Sequence, residues 1–292
     1  MKISANWIRD FVDLKVDNSS FAHDLTSIRH CGRRHFGEGD STVFEMEIGT
    51  NRPDAMNHYG VAREASAFYD LPLKPYAAKL PPFTDLAGMT ITVEDGRYCP
   101  RFTARVVRDV TIKASPAKIT QRLGLLDQRP INNAVDATNY VLWEIGKPTH
   151  VFDLDLLEGR RIVVRFARAG ETLKTLDGVV RKLTTEDLVV CDAKKPVGLA
   201  GVMGGYDTMI TERTRNILIE SAWWDPATVR KMSKRHGLHT DASHRFERGA
   251  DYESTLVSTN RVAELILNSA GERWSAMRST WWWAGATWRP SC

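Results

Sequence analysis

The sequence predicts an α+β protein, with a small N-terminal domain of helices and strands followed by a larger mixed α/β domain. Three observations point there. Strand-like and helix-like segments do not alternate with the regularity of a parallel crossover sheet. The stretch Leu71 to Pro82 carries Pro72, Pro75, Pro81 and Pro82 with no hydrophobic period, and so divides the chain. At 292 residues, 42% hydrophobic and 26% charged, the composition is that of a globular protein with room for two domains. The expected boundaries are 1–80 for the first domain, 85–255 for the second, and 256–292 for a helix and an atypical Trp-rich tail.

Local patterns justify each element. Ser4 caps a helix whose Trp7, Ile8, Phe11 and Val12 share a face. Asn18 to Ser20 offers a second cap before Phe21, Leu25 and Ile28, with Gly32 closing that helix and Arg33 to Ser41 forming a loop. Phe44, Met46 and Ile48 alternate with Glu45 and Glu47, a strand with one wet face. Asn51-Arg52-Pro53-Asp54 breaks it and opens a helix carrying Val61, Ala65 and Phe68. Beyond the divide, Ile162 to Phe166 and Leu188 to Cys191 read as buried strands. Asp177-Gly178 reads as a type I′ hairpin turn. One helix begins at Asn132 or Asn133 and ends at Gly146; another has Asp225 as cap, Pro226 at its first position and Gly237 after its last turn. A final helix spans Tyr252 to Ala270.

Composition narrows the function classes. The net charge of +4 tolerates a polyanionic partner without demanding one. Cys31, Cys99, Cys191 and Cys292 form no CxxC pair, so reduced thiols and a cytoplasmic protein are expected. Residues Met1 to Asp10 lack a signal-peptide core, and no apolar run reaches the roughly 18 residues of a membrane span. GxSxG, HExxH and EF-hand patterns are absent. His236, His239 and His244 cluster, but at no standard zinc spacing, so no metal is expected. The stretch Val197 to Gly205 is glycine-rich without being a phosphate loop. It reads either as close strand packing or as a bare-backbone wall for a small ligand. The run Arg230-Lys231-Met232-Ser233-Lys234-Arg235-His236 reads as a solvated helix face or a polyanion grip, as do the arginines in Ala242 to Gly249.

Taken in order, the motifs resemble a known family. Arg129-Pro130-Ile131-Asn132-Asn133, Val135-Asp136-Ala137-Thr138-Asn139, Pro148-Thr149-His150-Val151-Phe152-Asp153, Leu173 to Gly178, Gly198 to Gly205, Ile219-Glu220, Arg235-His236-Gly237-Leu238 and Ala242 to Gly249 are similar to the editing domain of the bacterial phenylalanyl-tRNA synthetase β subunit. Trp7 and Asn51 to Asp54 resemble that subunit's first module, and the similarity runs from Met1 to about Asp251. The resemblance implies hydrolysis of tyrosine wrongly attached to the phenylalanine tRNA. It makes His150, Glu220 and Thr240 the catalytic candidates, with Glu220 matching the family's tyrosine-selecting glutamate. Asn132, Thr138, Gly201, Gly204 and Ala242 are the substrate-binding candidates; Arg235, His236, Arg245 and Arg248 are the RNA-binding ones. With no activated Ser or Cys evident, a positioned water is the expected nucleophile. The implied partners are the acceptor end of tRNA(Phe) and an α subunit. No cofactor is expected in this chain, ATP and Mg²⁺ belonging to the complete synthetase.

Two departures qualify the resemblance. The family usually inserts an oligonucleotide-binding barrel of about a hundred residues where only Arg33 to Ser41 stands, so weak affinity for free tRNA is expected. The family's later modules are also absent. Five of nine tryptophans (Trp274, Trp281, Trp282, Trp283 and Trp288) crowd the tail, which reads as the scar of a truncation rather than an anchor. A non-catalytic RNA-binding or assembly fragment is therefore the alternative to an editing hydrolase.

Overall fold

A computed structural model describes residues 1–27, 31–80, 88–270 and 279–285. The N-terminal part contains β1 (Lys2–Ser4), α1 (Ala5–Arg9), α2 (Asn18–Ser27), β2 (Cys31–Phe36), β3 (Val43–Glu47) and α3 (His58–Phe68). Its antiparallel sheet has the order β1-β3-β2. Ser4 accepts from the Trp7 amide as expected, and Asn57 caps α3 through the Gly60 amide at 2.7 Å. Trp7 is fully buried and stacks on His58 at 4.1 Å. The Ser4 amide donates to Nε2 of that ring, so Nδ1 carries the proton that reaches the Trp143 carbonyl at 2.7 Å. Burial pushes His58 down to about 3, so it stays neutral.

The larger part contains β4 (Thr90–Val93), β5 (Arg101–Val107), α4 (Ala117–Leu125), α5 (Asn133–Ile145), β6 (His150–Asp153), β7 (Arg161–Phe166), β8 (Thr172–Lys174), β9 (Val180–Lys182), β10 (Leu188–Cys191), β11 (Pro196–Leu199) and β12 (Met203–Gly204). It continues through β13 (Ile217–Trp223), α6 (Pro226–His236), α7 (Asp241–Phe246), α8 (Ser254–Ala270) and β14 (Ser279–Gly285). One sheet runs β12-β11-β10-β7-β4, antiparallel except for the β4–β7 pair; a second, antiparallel throughout, runs β14-β5-β13-β6.

Alternation along the second sheet sorts its residues to two cores. Phe102, Ala104, Val106, Phe152, Leu218 and Ala222 join the core shared with the five-stranded sheet and α6. Val107, Val151, Ile217 and Ile219 join a core with α5 and α8 on the opposite face. A third core packs the N-terminal elements against Ile119 and Leu123 of α4 and Tyr140 and Trp143 of α5. Mixed helices and sheets, segregated rather than alternating, make this an α+β fold.

Several local expectations need correction. The α2 cap is Asp17, whose carboxylate accepts from the Ser19 and Ser20 amides at 2.9 Å, and not the Asn18 to Ser20 group. Gly32 does not end a helix: Cys31–Phe36 is β2, paired with β3 through a register shift, so only part of 33–41 is loop. Ile28 lies outside the described residues. The Asp177-Gly178 turn is not type I′, because Gly178 takes φ +81° while Asp177 keeps a negative φ. The Gly178 amide closes on the Thr175 carbonyl at 2.8 Å, which makes a type I turn followed by a left-handed glycine. The triple tryptophan lies in β14, where Trp281, Trp282 and Trp283 pair in register with Arg105, Ala104 and Thr103 of β5. The rest of the tail, with Trp274, Trp288 and Cys292, lies outside the described residues. Cys99 and Cys191 are buried free thiols. Among the described residues, no helix is long and apolar enough to cross a membrane.

Candidate functional site

Antiparallel pairing of β6 with β13 sets His150 directly opposite Glu220. Both occupy the face that looks toward the five-stranded sheet, beside Phe152, Leu218 and Ala222. A charged residue in a strand of otherwise apolar neighbours breaks the pattern, and the break has a purpose in space. Glu220 and His150 border a cavity of ≈ 410 Å³ between the two sheets. Its opposite wall is the β11–β12 segment, Gly198 to Gly204; Val135, Thr138 and Asn139 of α5, Trp224, and Ala242 and Phe246 of α7 complete it.

Two glycines set the shape of that wall. A Cβ on Gly204 would lie 2.2 Å from Cε1 of His150, so only glycine lets the strand approach the imidazole. Gly201 has φ +70°, and a Cβ there would stand 2.7 Å from the Trp224 indole. The bare-backbone reading of the glycine-rich stretch and the strand-packing reading thus describe the same residues: Gly198 lies against Gly204 across β11 and β12.

The electrostatics follow from burial. Glu220 is 7% exposed, its Oε2 has no hydrogen-bond partner, and burial pushes its carboxyl up to about 8. His150 Nε2 is likewise buried and unpartnered, and burial pushes the imidazole down to about 4. Both groups are therefore predominantly neutral near pH 7. The Thr149 hydroxyl beside them is also unpartnered. A buried polar atom without a partner costs about 1–3 kcal/mol, so three at one cavity mark a place where a ligand or water supplies the missing bonds.

The residues expected at the site divide into two groups. His150, Glu220, Thr138, Gly201, Gly204 and Ala242 line the cavity together. Asn132 and Thr240 do not. Asn132 caps α5 by accepting from the Ala134 and Val135 amides. Thr240 caps α7, accepting from the Ser243 amide at 3.0 Å while donating to the Val202 carbonyl at 2.9 Å. It ties the glycine wall to α7. Thr138 lines the cavity with its hydroxyl already donated to the Val135 carbonyl.

Sequence reasoning missed Trp224 and Phe246 as cavity walls, since sheet pairing and helix docking bring them there and no local motif does. Thr149 carried a signal, its place beside His150 in the Pro148-Thr149-His150 motif.

The basic candidates are mostly engaged. Arg245 is 2% exposed, stacks over Trp143 at 4.7 Å, and donates to the Met56 carbonyl at 3.1 Å and the Asp241 carbonyl at 2.9 Å. It braces α7 against the N-terminal part, which corrects its reading as a surface RNA contact. Arg248 pairs with Glu247, Arg235 with Glu186 and Asp187, and His236 with Asp187. The exposed cations without an ion pair on α6, among the described residues, are Arg230, Lys231 and Lys234. Among the described residues, the metal-spaced group of His239, His244 and Glu247 lies outside the cavity lining.

The chain has relatives among known proteins. Residues 98–271 match the B3/4 domain family. The phenylalanine–tRNA ligase β subunit of Geobacter metallireducens is 47% identical over 237 residues, covering 80% of this chain and 29% of that protein. That of Moorella thermoacetica is 46% identical over 235 residues, covering 79% and 29%. The chain thus spans about three tenths of the length of the curated relatives it matches. A solved N-terminal fragment of the Pyrococcus horikoshii phenylalanyl-tRNA synthetase β subunit aligns over 81% of this chain and 73% of that one, at 13% identity and a TM-score of 0.42. On the match over residues 98–271 the chain belongs to the B3/4 domain family, in the form related to bacterial phenylalanine–tRNA ligase β subunits.

Proposed function

We propose that the cavity is an aminoacyl-tRNA editing site that hydrolyses the ester of tyrosine mischarged on tRNA(Phe). The observation that carries this is the Glu220 carboxyl, buried and unpartnered at a cavity lined by apolar groups and glycine backbone. A phenol that enters pairs with that carboxyl, whereas a phenylalanine ring leaves it unpaired. A site built to bond a hydroxyl rejects the analogue lacking it by about 10⁴-fold or more, a discrimination no purely apolar pocket reaches.

The chemistry is ester hydrolysis. A water attacks the ester carbonyl, the tetrahedral intermediate collapses, and the terminal ribose hydroxyl leaves with the proton the water gives up. His150, held at about 4, is too weak a base to take that proton outright near pH 7. Its free Nε2 instead orients the water or the terminal adenosine. Backbone amides of the glycine wall stabilise the developing oxyanion. Thr240 acts as a positioning residue through Val202. The acceptor end approaches along α6, where Arg230, Lys231 and Lys234 offer phosphate contacts beside Arg235. An α subunit is the partner that supplies aminoacylation.

The test is deacylation of tyrosyl-tRNA(Phe) and phenylalanyl-tRNA(Phe) by the purified chain, alone and with an α subunit. The expected result is release of tyrosine in preference to phenylalanine, with the preference lost in Glu220→Ala. Absence of release in both conditions favours the non-catalytic assembly reading.

A further inference from the structure

We propose that His239, His244 and Glu247 form a binding site for a divalent cation of the Zn²⁺ class, separate from the editing cavity. Each residue offers one ligand atom, and these atoms lie within 4.8 Å of one another. His244 and Glu247 stand three apart at the C-terminal end of α7, so their side chains share one face. His239 comes from the loop between α6 and α7. Its ring meets that of His244 nearly at right angles, centroids 5.4 Å apart.

No hydrogen bond among the described residues occupies either imidazole. His236, by contrast, is tied to Asp187 at 2.9 Å. Arg248 holds Glu247 through Oε1 at 2.5 Å and so fixes the carboxylate's direction.

Two imidazoles and one carboxylate are a borderline donor set. It suits Zn²⁺ with a solvent molecule in the fourth position, and is too poor in oxygen for Ca²⁺ or Mg²⁺. Tetrahedral ligands at about 2.0–2.1 Å from zinc stand about 3.4 Å apart. Closing the set therefore needs the ligand atoms to draw together from separations of up to 4.8 Å, and His239 is the exposed member. Of the nearby arginines, Arg245 pairs with Asp241, and Arg248 pairs with the Glu247 carboxylate itself. Glu45 and Glu47 of β3 border a cleft with His244, and Asp241 borders a second one with both histidines. The ion fastens the α6–α7 loop onto α7, the helix that carries Ala242 and Phe246 to the cavity wall.

Titration of the full chain with Zn²⁺ by calorimetry tests this, with Co²⁺ as a visible-spectrum probe of the ligand set. The expected result is one saturable site, a tetrahedral Co²⁺ spectrum, and about tenfold or greater weakening in each of His239→Ala, His244→Ala and Glu247→Gln. Zn²⁺ should raise the melting temperature of the parent chain and not that of His239→Ala, whose exposed loop position leaves the fold intact. Absence of saturable binding overturns the proposal. So does binding that survives the histidine variants and disappears when the four cysteines are replaced by serine.

Discussion

At the scale of single residues, the two neutral groups at the cavity carry opposite pH signatures. Burial raises the Glu220 carboxyl from 4.5 to about 8, so the native state holds a proton that the unfolded chain has released between those values. The contribution of Glu220 to stability is therefore fullest below about 4.5 and declines as pH rises toward 8, at up to about 1.4 kcal/mol per pH unit. His150 runs the other way. Burial lowers it from 6.5 to about 4, so its contribution is present above 6.5 and is lost as pH falls toward 4. The two slopes oppose each other below 6.5, which leaves 6.5 to 8 as the window where Glu220 acts alone of the pair. Urea unfolding of the parent chain and of Glu220→Gln across that window is expected to show the parent losing stability relative to the variant as pH rises, the buried Lys147, pushed down to about 7, tilting both curves alike. Parallel curves would show that the carboxyl is solvated rather than buried neutral.

At the scale of elements, the glycine wall and the helix caps make predictions of different size. Gly204→Ala places a methyl where His150 already stands, so either β12 or the imidazole must move. Overpacking of this kind costs about 1–3 kcal/mol, and here it also fills the cavity, so tyrosyl ester hydrolysis should fall with it. Gly237→Ala is the control: Gly237 ends α6 with φ +63°, and an added Cβ there meets nothing within 4 Å. It is expected to cost about 1 kcal/mol by thermal melting and to leave hydrolysis unchanged. Asn132→Ala removes the acceptor for two α5 amides and is expected to cost about 1 kcal/mol in the same assay.

These caps were legible in the sequence because capping is local: Asn132 and Gly146 bound α5, and Asp225, Pro226 and Gly237 bound α6. Asp17 was not, since Asn18, Ser19 and Ser20 are equally good capping residues and only the start of α2 chooses among them. The site was legible in its motifs and not in its geometry. The pairing of His150 with Glu220 is a register fact, and Thr240 shows that a polar residue in a site motif can serve the backbone around it instead.

At the scale of the whole molecule, one polar network joins the proline-bearing segment 71–80 to both long helices behind the cavity. Glu144 of α5, 2% exposed, accepts two hydrogen bonds from Arg261 of α8, both at 2.9 Å, and a third from the Tyr76 hydroxyl at 2.8 Å. Arg261 also donates to Glu264 at 2.7 Å, and Glu264 accepts the Lys79 amide at 3.0 Å. Burial beside Glu144 pushes the Tyr76 phenol up, so it stays protonated and remains the donor. The sequence offered no sign of this, because the partners come from three segments up to 185 positions apart. Removing one member of a buried ion pair leaves the other charge without compensation, which costs about 3–5 kcal/mol, whereas replacing both by apolar groups of similar volume is near neutral. Arg261→Met is thus expected to lower chemical stability by about 3 kcal/mol, and Glu144→Leu combined with Arg261→Met to recover most of that loss. Urea denaturation of the two singles and the double closes the cycle. Additive losses would mean that Glu144 and Arg261 stabilise α5 and α8 independently. A recovered double variant assigns their value to the pair, and with it the packing of α5 and α8 beneath the sheet that presents His150 and Glu220.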